Sequence, residues 1–193
     1  MSTNHYKYTD FIIKQINRLL AEKFENFKAM NFDELNVYET VNKTFDELYG
    51  KSKALYKRLA QHIYSLYNQK MEEDWIDFIL ASYDDVSKFV FDNEWDRRRG
   101  RLAETIISSP TKSEDIDVNM RSLGRVMKIY ADEITDKSTL DAYEKMGIDK
   151  VVWETEDDNR VCDICRGRDG KIYPLAKVPS KPHPNCRCWL EIV

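Results

Sequence analysis

All four cysteines of the 193-residue chain, Cys162, Cys165, Cys186 and Cys188, lie in its last 34 residues, "RVCDICRGRDGKIYPLAKVPSKPHPNCRCWLEIV". His183, one of only three histidines, falls among them. Thiolate and imidazole are the donors that a borderline-soft dication such as zinc prefers. A Cys-x2-Cys turn sets two sulfurs on one side of a tight loop, and Cys162 and Cys165 have that spacing. After seventeen intervening residues comes His183-x2-Cys186-x-Cys188. A second pair at such a distance completes the usual structural zinc site. Five donors thus compete for four places. The spacing favours Cys162, Cys165, His183 and Cys186, because His-x2-Cys repeats the gap of the first pair. Cys188 is the reserve ligand, since on an extended strand it faces the same side as Cys186. An all-cysteine set without His183 is the close competitor. Two disulfides or free thiols are the alternative.

The expected zinc is structural, not catalytic. A hydrolytic zinc keeps an open position with a general base beside it. Here there are enough soft donors to close the shell, and no His-Glu-x-x-His or His-x-Glu motif occurs. His5 and His62 lie far from the tail and read as ordinary histidines. Asp157, Asp158 and Asp163 flank the first cysteine pair and read as solvated or capping carboxylates. No catalytic residue, no further cofactor and no small-molecule substrate are expected, and the chain reads as a non-enzyme.

Net charge is −4, with 42% apolar and 33% charged residues, which suits a folded protein. A protein whose main task is to coat nucleic acid is normally basic. No stretch approaches the roughly 20 apolar residues that span a bilayer, so no membrane partner is expected. The polar start "MSTNHYKYTD" lacks a signal-peptide pattern, which points to a reducing compartment where clustered cysteines bind metal more often than they pair.

The elements that must carry the cluster follow from punctuation and periodicity. Before position 167 the glycines are Gly50, Gly100, Gly124 and Gly147, and before position 174 the one proline is Pro110. Long helices are the expected result. Ile13, Ile16, Leu20, Phe24 and Phe27 form one stripe at helical spacing; Leu35, Tyr38, Val41, Phe45 and Leu48 form another, with Gly50 where a C-cap would stand. Leu55, Leu59, Ile63 and Leu66 make a third. Trp75, Phe78 and Ile79 begin a fourth, and Val86, Phe89, Val90 and Trp95 a fifth that runs past Gly100 to Ile107. "SSPTKSEDID" (108–117) is a loop, after which Leu123, Val126, Met127 and Tyr130 restart the pattern. "DKSTLDAYEKMG" is a short helix closed by Gly147. Beyond it "DKVVWET", "GKIYPL" and "CWLEIV" have strand character. The expected fold is mainly α: an elongated or bundled helical domain over 1–148, then a small zinc-stabilised β lobe over 149–193. A lobe of that size buries too little to hold itself without help.

Arg97, Arg98, Arg99 and Arg101 make a basic knot on a helix. It could grip phosphate or an acidic partner. The favoured reading is a salt-bridged face, with Glu94–Arg98 and Arg101–Glu104 at helical spacing.

The stretches "VVWETEDDNRVCDICRGRDGKIYPL" and "KPHPNCRCWL" resemble the C-terminal region of the phage Mu F-like minor head proteins, also called head morphogenesis proteins. The matching pattern is Trp153 on a strand, the run Asp158 to Cys165, Gly170 before a short strand, and His183 to Cys188. "YDDVSKFVFDNEWDRRRGRLAE" and "DEITDKSTLDAYEKMGIDKVVWETEDD" are similar to segments these proteins carry upstream, so the resemblance covers about residues 80–193. It implies a structural virion component. Such a protein associates with the portal protein and other capsid proteins inside the procapsid near the portal vertex. It assists head assembly and DNA delivery, and it passes through the host cytoplasm during assembly. Some family members contact DNA, so weak DNA contact belongs to this expectation. Five residues follow Cys188, leaving no room for the extra enzymatic domain some members carry. The competing class is a zinc-ribbon nucleic-acid binder or a small zinc-stabilised nuclease. The tail from Lys150 to Val193 offers eight Lys/Arg against seven Asp/Glu, no strong footprint for DNA.

Overall fold

The computed structural model describes residues 3–29, 34–75, 91–108, 113–156, 158–183, 186 and 188–193. Among these, four long helices come first: α1 Thr3–Ala29, α2 Glu34–Leu66, α3 Phe91–Ser108 and α4 Ser113–Lys145. A rise of 1.5 Å per residue makes α2 and α4 rods of about 50 Å. They form an elongated bundle. Helix α4 packs against α1, α2 and α3, and α2 packs against α1 and α3.

Each helix buries one stripe. Ile12, Ile16, Leu20, Phe24 and Phe27 are the sealed face of α1. Val37, Val41, Phe45 and Leu48 continue into Tyr56, Leu59, Ala60 and Ile63 along α2. Leu102 and Ile106 of α3 and Leu123, Met127, Tyr130 and Ile134 of α4 complete the core. Polar bonds cross the bundle where side chains are small. Thr9 and Thr135 hydroxyls meet at 2.8 Å, and Tyr56 donates to the Met127 carbonyl at 2.8 Å.

Several sequence expectations shift. Helix α2 runs straight through Gly50, so the two stripes either side of it belong to one helix. A mid-helix glycine costs about 1 kcal/mol relative to alanine, far less than the burial flanking it supplies. Ile12, not Ile13, holds the buried position on α1, while Tyr38 is 51% exposed beside buried Val37. The stretch 136–145 is not a separate short helix but the last turns of α4, and Ser113–Asp117, read as loop, are its first turns. The expected passage through Gly100 holds, since α3 spans it. Phe78, Ile79, Val86, Phe89 and Val90 lie outside the described residues.

Helix α4 ends as expected at Gly147, whose φ of 72° is the left-handed conformation glycine takes cheaply. Ile148 N–H closes the turn on the Tyr143 carbonyl at 3.0 Å. Then come β1 Lys150–Thr155, one helical turn α5 Asp163–Arg166, β2 Ile172–Pro174, a 3₁₀ turn Leu175–Lys177 and β3 Cys188–Ile192. The sheet is antiparallel with order β2-β1-β3. It touches the bundle through α4. Tyr143 donates to the Leu190 carbonyl at 3.2 Å and Lys181 pairs with Asp136 at 2.8 Å. A cleft of about 190 Å³ separates α4 from the lobe there, lined in part by Asp132, Leu140, Trp189, His183, Cys186 and Cys188.

Candidate metal centre

Strand β1 is the platform. Val151 and Trp153 point inward and are sealed, as β-branched and aromatic residues in alternation should be. The register sets Thr155 of β1 opposite Cys188 of β3, so Cys188 enters the lobe beside the end of β1. Asp169 pins the intervening loop to the same strand end, accepting from the Thr155 N–H at 2.8 Å and its hydroxyl at 2.9 Å. Gly170, with a φ of 68°, turns the chain so that its N–H reaches the Trp153 carbonyl at 2.8 Å.

The Cys-x2-Cys segment is a helix start. Cys162 is the N-cap of α5 in extended conformation, and its sulfur accepts from the Cys165 N–H at 3.4 Å. A capping position is usually filled by an oxygen acceptor; here a sulfur fills it. Asp163 stands in the first turn of α5, where a carboxylate suits the free N–H groups. Asp158 accepts from the Arg160 N–H at 2.9 Å and pairs with its guanidinium. Both fit the capping role expected of them, while Asp157 lies outside the described residues.

The fold brings three sulfurs into one group. Cys165, Cys186 and Cys188 place their Sγ atoms within 4.8 Å of one another and could hold a metal ion. The separations are 3.0 Å for Cys165–Cys186, 2.7 Å for Cys186–Cys188 and 3.8 Å for Cys165–Cys188. All four cysteines are free thiols. Cys162 adjoins the group through Cys165, and exposed His183 is hydrogen-bonded to Cys162.

Electrostatics shows what the group lacks. The Cys188 hydrogen bond holds Cys186 down to about 6 against the effect of its burial. Burial, followed by the Cys186 hydrogen bond, pushes Cys165 up to about 12. Cys188 is driven far up, first by its bond to Cys186 and then by burial. Burial also opposes ionisation of Cys162, but the Cys165 N–H and His183 outweigh it and hold the thiol below its ordinary value. Within the three-sulfur group the neighbouring thiols therefore favour the Cys186 thiolate and resist those of Cys165 and Cys188, as like charges in a small dry space must. A dication reverses that balance, because coordination deprotonates its thiols.

Two residues that spacing alone did not mark complete the lobe. Trp153 is the floor under Cys165 and Cys188, and Arg168 lies 4.9 Å over its ring while donating to the Ser180 carbonyl at 2.8 Å. Lys181 anchors the segment that carries His183 and Cys186 to Asp136 of α4. Their partners are distant in sequence, so periodicity holds no signal for them.

Two arginines of the basic knot bind the bundle. Arg98 donates to the Ser122 hydroxyl of α4, and Arg99 pairs with Asp46 of α2 at 3.0 Å. Arg97 and Arg101 are exposed, and the Glu94 side chain lies outside those described. His62 stacks on Tyr8 with centroids 4.0 Å apart, far from the sulfurs.

A helical bundle carrying a small β lobe gathered around cysteine sulfur defines a structural module with a candidate metal centre. The family model described as Phage Mu protein F like protein matches residues 98–191. The match runs from within α3 to Glu191 of β3 and supports a Phage Mu F-like protein, and the whole sulfur group lies inside it. Helices α1 and α2 lie outside it. No curated protein and no solved structure matches the chain. Among the described residues no helix is long and apolar enough to cross a membrane.

Proposed function

We propose that this protein is a phage head morphogenesis protein. It is a structural component of the virion that docks on the portal and neighbouring capsid subunits from inside the head and assists assembly and DNA delivery. The observation that carries this is the sulfur group of the lobe lying wholly within the Phage Mu F-like match. The helical bundle gives length and surface, and the lobe gives a rigid attachment element. The protein has no turnover of its own: the donors around the sulfurs are consumed in closing a shell.

Within that role the lobe holds one structural zinc. Cys162, Cys165, Cys186 and Cys188 are its ligands, and His183 steadies Cys162 from outside. This exchanges His183 for Cys188 relative to the set that spacing favours. Cys188 is buried within the sulfur group, whereas His183 is exposed and bonded to a sulfur rather than sharing its centre. The donors fit the ion. Zinc–sulfur bonds of about 2.3 Å at tetrahedral angles give sulfurs about 3.8 Å apart. Cys165 and Cys188 already have that separation, and Cys186 needs to withdraw by about 1 Å. When bound, the ion supplies cross-linking charge, and its binding energy becomes folding energy for the lobe.

The test joins chemistry to biology. Metal analysis of protein purified under reducing conditions should find one zinc per chain, and a pull-down with the portal protein of the same phage should retain it. Zinc without portal binding would overturn the docking role and leave the metal centre standing. Neither result in hand would overturn both.

A further inference from the structure

We propose that the sulfur cage is also a site of reversible oxidation by small disulfides of the glutathione class, with the metal released as the Cys165–Cys186 bond forms. This rests on the metal-centre reading above. Three observations carry it. The Cys165 and Cys186 sulfurs stand 3.0 Å apart on different elements, α5 and the segment before β3, hydrogen-bonded but with no disulfide between them. Cys186 is only half-buried, unlike sealed Cys165. Cys186 and Cys188 also line the cleft between α4 and the lobe, so a small oxidant in that cleft meets sulfur directly.

The chemistry balances without further reagents. The Cys186 thiolate attacks one sulfur of the small disulfide, forming a mixed disulfide and expelling one small thiolate. The Cys165 thiolate then attacks the Cys186 sulfur, closing the protein disulfide and expelling the second. Two protein thiolates and one small disulfide become one protein disulfide and two small thiolates. Two electrons pass from protein sulfur to the oxidant. Only Cys162 and Cys188 then remain as thiolate donors, too few to retain a dication in a closed shell. Cys188 lies as near to Cys186, at 2.7 Å, but joining residues with a single residue between them makes a small strained ring. Cys165 carries no such restraint. The cleft is also where the lobe meets the bundle, through Lys181 and Asp136 and through Tyr143 and Leu190. Oxidation therefore acts on the seam between the two parts.

The full chain, purified reduced, is first assayed for zinc and then treated with excess oxidised glutathione. A chromophoric chelator follows metal release, a thiol reagent counts free cysteines, and peptide mass mapping identifies the linkage. Free thiols should fall from four to two as one zinc leaves per chain, with Cys165 joined to Cys186. Dithiothreitol and added zinc should restore the starting state. Zinc retained with all thiols intact, under oxidant that converts free cysteine fully, would overturn this proposal and leave the metal centre standing. So would a linkage mapped to Cys186 and Cys188. A chain that holds no zinc before oxidant is added would overturn the metal centre, and this proposal with it.

Discussion

The bundle and the lobe solve the same problem with different means. The bundle buries stripes from four helices in one apolar cluster, with aromatic rings such as Phe24, Phe45 and Tyr56 sealed inside. At about 25 cal/mol per Å² such burial holds long helices without assistance. The buried cluster of the lobe is Trp153, Val161, Cys165 and Cys188, so half of it is sulfur. Its strands are six, three and five residues long. A sheet that small is marginal in water unless something staples it. On the proposed metal centre, apolar area decides the bundle and coordination decides the lobe. The two should therefore fail separately.

The strongest way to break that contrast is to remove a central sulfur. Cys165→Ser should abolish zinc binding and unfold the lobe, since structural zinc contributes on the order of 10 kcal/mol to such modules. Limited proteolysis should then cut after about residue 148, while far-ultraviolet circular dichroism keeps most of its helical signal. Loss of both together would show one cooperative unit and end the division. The converse change is Phe45→Ala, in the sealed face of α2. It should cost about 3–5 kcal/mol of bundle stability by chemical denaturation, with zinc content unchanged at concentrations where the bundle still folds. Smaller is the effect at the seam. Tyr143→Phe removes the donor to the Leu190 carbonyl and the contact with the Tyr67 hydroxyl. It should lower lobe stability by about 1 kcal/mol, the usual net worth of such a bond, with the zinc stoichiometry unchanged. Smallest and opposite in sign is Gly50→Ala. A methyl group there meets nothing within 4 Å. It should raise bundle stability by about 0.5–1 kcal/mol, read as a higher denaturant midpoint, and leave the lobe untouched.

One acid group bears on the seam. Burial raises the Asp132 carboxyl above its ordinary value despite Lys128. A raised acid binds its proton more tightly in the folded state. Its contribution to stability is therefore gained as pH falls through the folded value and is absent at higher pH. Asp132→Asn should flatten that part of the acid-side stability profile.

Much of this was legible in the sequence. Phase was readable wherever a stripe was long: Ile16, Leu20, Phe24 and Phe27 are buried as their spacing demands. The three strands stand where β-branched and aromatic residues cluster. Boundaries were harder. Gly50 reads locally as a stop, yet packing on both sides carries α2 across it. Tyr38 sits between two stripes, and a phenol is tolerated on either side of a boundary. The sulfur group was visible as spacing, but which of its members stand together was not. Spacing alone leaves Cys188 as a mere reserve beside Cys186. Its place in the group comes from the pairing of Thr155 with Cys188 across β1 and β3, a tertiary fact. Trp153 as the floor and Lys181 as the tether are likewise contacts between distant residues.

The central claim is that four sulfurs hold one ion that organises the lobe. Zinc per chain, measured side by side in His183→Ala and Cys188→Ser proteins, tests it most directly. The account predicts one zinc per chain in the histidine variant and a loss of stoichiometric metal in the cysteine variant. Full zinc in Cys188→Ser with none in His183→Ala would contradict it.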